Sequence, residues 1–176
     1  MISLFCVAIF YNVGEDIPGI QTRNGTIFFI TMNQAMSAVQ NVILVFPNER
    51  PVFLREVNNE MYSVSAYFFS KVLSELPIGI LSPVLFGCIE YYGIGFNTQE
   101  WSRFPMHLLL LVLLYNTAGN FALILGTMFS DRQLAATLTP VLVIPFALFS
   151  GFFLNSNQIP NYLIWLEYVS LFKYGY

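Results

Sequence analysis

Apolar residues in this chain come in long charge-free runs, not at amphipathic spacing. Gly25–Asn48, Phe104–Ser130 and Gln133–Leu166 hold no Asp, Glu, Lys or Arg, and Val72–Ile89 holds only Glu75. A soluble core helix shows a polar residue every third or fourth position, whereas "MHLLLLVLLY" (106–115) shows none. About 20 helical residues cross a ~30 Å hydrocarbon core, and these runs are long enough. The pattern predicts an all-α polytopic membrane protein with about four to five spans, each roughly that length. The expected elements are the end of a first span over 1–11, a second span over 26–46 and a charged helix over 48–62. A third span over 65–94, a fourth over 104–129 and a fifth over 134–154 follow, with a tight turn at "SDRQ" (130–133) between the last two. "ISLFCVAIFY" (2–11) is too short to span and reads as the tail of a truncated helix, which makes the chain a fragment of a longer protein. The closing region, 159–176, contains an apolar stretch, Ile159–Phe172, that would reach only about 21 Å as a helix. It is expected to be re-entrant or interfacial, with Tyr162, Trp165 and Tyr168 at headgroup level.

The charged element, "NERPVFLREVNNEMY", interrupts this pattern with Glu49, Arg50, Arg55, Glu56 and Glu60. Asn48 can cap a helix start, Pro51 is tolerated in a first turn, and Asn58-Asn59 can end it. Phe53 and Val57 share one side. The reading is a short amphipathic helix on the membrane surface. Mixed acids and bases suit a protein partner better than anionic headgroups, which favour Lys and Arg alone. The distribution of Lys and Arg, four on this side against three on the other, slightly favours the cytoplasmic side for this element.

Composition agrees with the membrane reading: 10% of residues are charged, against about 25% in soluble domains. The net charge of −3 argues against nucleic acid as a partner. Cys6 and Cys88 lie inside apolar runs and read as small hydrophobes. Nucleotide-binding, nucleophile–base and metal-ligand motifs are absent from the sequence, so no catalytic residue, metal or cofactor is expected in this chain. The sequon Asn24-Gly25-Thr26 abuts the membrane, beyond easy reach of glycosylation.

Polar residues inside spans are the remaining candidates for function. Asn33, Ser37, Gln40 and Asn41 fall at i, i+4, i+7 and i+8 of the second span, one helix face, with Gln34 at its margin. Amides facing lipid leave donors unpaired, so this face should meet other helices, as hydrogen-bonding glue, or line a substrate path. Lys71 and Glu75, one turn apart, should pair at the membrane edge, and Glu90 reads as interfacial. In "FALFSGFFLN", Phe152 and Phe153 are either aromatic packing at the interface or a hydrophobic constriction.

Three stretches, "RNGTIFFITMNQ", "ERPVFLREVNNEMYSVSAYFFSKVLSELP" and "LFSGFF…IPNYLIWLEYVSLFKYGY", resemble the transmembrane domain of G-subfamily ABC transporters. These are the white, sterolin and breast-cancer-resistance type half-transporters. The resemblance covers nearly the whole chain in order. It implies an ABC exporter type-2 helical bundle, an ATP-binding domain outside this chain that uses ATP and Mg²⁺, and pairing with a second half-transporter. By it, 48–62 is the coupling helix, with Glu49, Arg50, Phe53, Arg55 and Glu56 as contacts to the ATPase. It further implies a substrate path at Asn33, Met36, Ser37, Val143, Ile144 and Ala147, and a hydrophobic plug at Phe152 and Phe153. Met36 and Val143 stand where drug pumps carry aromatic residues, which turns the expected cargo from flat drugs towards lipid-like or amphipathic molecules. The competing function class is a passive channel or structural membrane subunit without an ATPase.

Overall fold

In the computed structural model, residues 2–10, 17–96, 102–129, 131–152 and 163–175 are described, and among them every regular element is a helix. In chain order these are α1 (Ile2–Ile9), α2 (Ile17–Asn58), α3 (Val64–Ile94), α4 (Arg103–Met128), α5 (Arg132–Leu148), α6 (Ile164–Val169) and α7 (Leu171–Gly175). Where no water competes, a helix is the element that satisfies its own backbone. Of the described helices, α2, α3 and α4 are long and apolar enough to cross a bilayer. At 17 residues, α5 reaches about 26 Å, slightly short of a full span. Its start is fixed by Asp131, whose carboxylate accepts from the Gln133 N–H at 2.9 Å. Ser63 caps α3 in the same way through the Ala66 N–H, and Gly95 ends it in the left-handed conformation.

The sequence pattern divides Gly25–Tyr62 into a span and a separate charged helix, but the chain runs through as one 42-residue helix with Pro47 and Pro51 inside it. Each proline removes one backbone bond to the residue four before it; the neighbouring bonds keep the helix going, so Asn48 is mid-helix and not a cap. The helix also begins at Ile17, well before the expected start at residue 26. It ends at Asn58, where the Asn59 N–H donates to the Arg55 carbonyl and Glu60 takes a left-handed φ of 55°. The tail likewise departs from one helix: Ser170 breaks it into α6 and α7, its hydroxyl donating to the Phe146 carbonyl at 2.6 Å.

The core forms around α2. Ala35, Ala38, Val39, Val42 and Phe46 are buried against Leu114, Ala118, Ala122 and Leu125 of α4, Ala135, Val143 and Ala147 of α5, and Phe172 of α7. Alanines let the backbones approach closely, the usual device between helices in lipid. By contrast, α3 packs along α4 and barely meets α2. Its C-terminal half is locked to α4 through Gly87, where an added Cβ would lie 2.7 Å from Leu108 Cδ2. Between Val72 and Gly79 it stands away from α2, leaving a cleft of about 360 Å³ between α2, α3 and α4. Outward-facing Phe69, Leu73, Leu81 and Leu85 of α3 and Leu109 and Leu113 of α4 are exposed, as lipid contact requires.

Candidate coupling arm and translocation surface

The charged end of α2 is tied to the start of α3 by one shared cation. Lys71 Nζ lies 2.6 Å from Glu49 Oε2 and 3.3 Å from Glu75 Oε1. The expected Lys71–Glu75 pair is therefore present, but the shorter contact crosses to α2, which sequence spacing cannot reveal. Tyr67 reinforces it: its hydroxyl reaches Glu49 Oε2 at 3.4 Å, and its ring packs on Phe53, with centroids 4.4 Å apart. Tyr62 stacks on Tyr67 and donates to Glu56 Oε2 at 2.6 Å. That hydrogen bond is the largest cause pushing the Tyr62 phenol up to about 12. So Glu49, Phe53 and Glu56 face inward to the α2–α3 junction, while Arg55 is exposed and Arg50 half-buried.

Further along α2 the expected polar face divides. Ser37 and Gln40 are exposed, Asn33 and Met36 half-buried. Asn33 donates back to the Phe29 carbonyl at 3.3 Å. Asn41, a turn lower, points to α4 and donates to the Tyr115 hydroxyl at 2.9 Å, the helix–helix glue that spacing allowed. Gln34 is buried at 3% exposure, with Nε2 unpartnered among the described residues. Met36, Gln40 and Leu44 line a groove of about 220 Å³ with Ala136, Thr139 and Pro140 of α5. One turn beyond Pro140, Ile144 is 47% exposed, whereas Val143 and Ala147 are buried in the core. Asn33, Met36, Ser37 and Ile144 are thus on or near the surface, with Val143 and Ala147 behind it. Phe152 stacks on Phe28 of α2 with centroids 4.5 Å apart and rings nearly parallel. Phe153 lies outside the described residues.

Two polar groups depart from the sequence reading or escaped it. Glu90 is 0% exposed within the helix bundle; it interacts with the Cys6 thiol of α1, and neither carboxylate oxygen meets an N–H or O–H donor among the described residues. Its position near the end of an apolar run concealed that α1 brings Cys6 against it. Asn116, buried in the "MHLLLLVLLYNTAGN" run, donates to the Gly79 carbonyl of α3 at 2.9 Å and to the Val112 carbonyl at 2.8 Å. Within the sequon Asn24 is exposed while Thr26 is 0% exposed, its hydroxyl donating to the Thr22 carbonyl.

Residues 1–176 match the ABC-2 type transporter family. The chain belongs to that family. Among its relatives, Protein white of Drosophila melanogaster is 35% identical over 99% of this chain and 25% of its own length. The broad substrate specificity ATP-binding cassette transporter ABCG2 of Bos taurus is 36% identical over 99% of the chain and 27% of its length. The ATP-binding protein/permease wht-1 of Caenorhabditis elegans is 37% identical over 100% of the chain and 26% of its length. The chain therefore spans about a quarter of the relatives it matches. It is a helical part of an ABCG-type membrane domain, an integral membrane chain of a transporter family.

Proposed function

We propose that this domain forms the bilayer part of an ATP-driven exporter that moves lipid-like or amphipathic molecules outward by alternating access. An ATP-binding domain, using ATP and Mg²⁺ outside these residues, would dock on 48–62. The observation that carries the reading is the continuity of α2, since one helix bears both the polar surface at Asn33–Ser37 and the charged arm. A movement imposed on Arg50 and Arg55 then reaches the translocation surface without crossing a loop. Amides and hydroxyls facing lipid are costly, so exposed Ser37 and Gln40 favour a second half-transporter across this surface. Substrate would pass between the two copies, along Asn33, Met36, Ser37 and Ile144, with Val143 and Ala147 shaping the wall and Phe152 and Phe153 closing the outer end.

The test uses the full-length transporter reconstituted in vesicles, with sterols, phospholipids and drugs as cargo. Arg55→Ala is expected to leave substrate binding and ATP hydrolysis in place while abolishing the transport they support. Unchanged transport would refute the arm's role, and solute flux without ATP would establish the passive channel instead.

A further inference from the structure

One face of α3 carries a ridge with four-residue spacing: Tyr67, Lys71, Glu75, Gly79, Pro83, Gly87 and Tyr91. Its inner end holds the α2 arm through Tyr67 and Lys71. Its outer end is fixed to α4, with Gly87 against Leu108 and Leu111 and Tyr91 against Phe104 and His107. Between them lies a defect. A helical N–H donates to the carbonyl four residues earlier, and Pro83 has no N–H, so the Gly79 carbonyl loses its intrahelical donor. In lipid an orphaned carbonyl is expensive. Asn116 supplies the missing donor from α4, at 2.9 Å. Its amide reaches in because residue 79 has no side chain: a Cβ there would lie 2.5 Å from Asn116 Oδ1.

From this we infer that Asn116 is a positioning residue, the fulcrum on which the inner half of α3 turns against α4. Outward of Gly79, α3 is clamped to α4. Inward of it, the cleft of about 360 Å³ separates α3 from α2, and the described polar ties are the arm and Asn116. A side-chain amide can follow a tilting carbonyl in a way a backbone N–H inside the helix cannot. This single cross-helix bond therefore keeps the weak point satisfied while the arm moves. The inference deepens the proposed function and, in its transport readout, rests on it.

The experiment is a cycle on the full-length transporter: Asn116→Leu, Pro83→Ala and the double variant. Pro83→Ala restores an N–H to α3 and makes the Asn116 donor redundant. Asn116→Leu alone should lower the melting temperature, by the loss expected of one hydrogen bond. It should also speed hydrogen–deuterium exchange across 75–83 and cut substrate moved per ATP about fivefold, the low end of site-to-site couplings. In the Pro83→Ala background all three effects should shrink towards zero. An equal melting and exchange penalty in both backgrounds overturns the donor swap. A melting penalty with an unchanged transport-to-ATP ratio overturns the fulcrum and leaves a structural bond. A wild type that moves none of the cargo fails the transport reading alone, because melting and exchange still decide the swap.

Discussion

Lys71 holds two acids at once, and this makes its loss and theirs unequal. Lys71→Met keeps the methylene stem and deletes the ammonium, leaving Glu49 and Glu75 facing each other with no cation between them. Glu49→Gln removes the shorter contact of 2.6 Å but leaves Lys71 its second partner at 3.3 Å. In water-poor surroundings a unit charge pair at such separation has a gross attraction of about 4 kcal/mol or more. The acids are 39% and 37% exposed while the lysine is 15% exposed, so most of that is screened. Charge-assisted hydrogen bonds keep about 1.5–3 kcal/mol and exposed pairs about 0.2–1 kcal/mol. Lys71→Met should therefore cost about 2 kcal/mol, near the middle of that range, and Glu49→Gln under about 1 kcal/mol. With roughly 2–4 °C per kcal/mol for a chain of this length, thermal unfolding of the purified protein in detergent should separate the two. Equal melting losses for Lys71→Met and Glu49→Gln would refute the shared-cation arrangement.

Two further perturbations follow from the buried acid and the loop phenol. Replacing Glu90 with Met removes, at nearly constant volume, a buried carboxyl that has only the weakly donating Cys6 thiol beside it, and should raise stability by about 1–3 kcal/mol, since poorly satisfied buried polar groups cost that much; a lower melting temperature for Glu90→Met would contradict it. The Tyr62 phenol is raised to about 12 by the bond it donates to Glu56. A raised pKa stabilises below the ordinary tyrosine value and is lost as pH climbs through the folded one, so this tie should fail between about pH 10 and 12. Tyrosinate absorption in Glu56→Ala should show one phenol titrating earlier than in the parent protein, and identical titrations would speak against the contact.

Much of the helical plan was legible because lipid imposes a coarse rule: charge-free runs of sufficient length become helices. α3 and α4 fall within a residue of their expected bounds. Reading went astray where local punctuation competes with that rule. Asn48, Pro47 and Pro51 look like a boundary, yet a helix already formed on both sides absorbs two missing bonds. The site residues were harder to read. The Glu49–Lys71 contact joins positions 22 apart in sequence, and neither residue type announces its partner. Val143 and Ala147 could be placed only by knowing which side of α5 meets α2. The Asn116 bond did leave a signal, an amide in an apolar run and a proline in another, but only the packing of α3 on α4 matches them.

The prolines inside α2 give the arm a preferred direction. Pro47 and Pro51 stand one turn apart, and the carbonyls they leave without rungs, those of Ile43 and Pro47, lie along the same line of the cylinder. The opposite side of the helix keeps its full ladder. Such a rod is compliant in one plane and stiff in the plane across it, so a force applied at the charged end of α2 would be rectified into a single bending stroke.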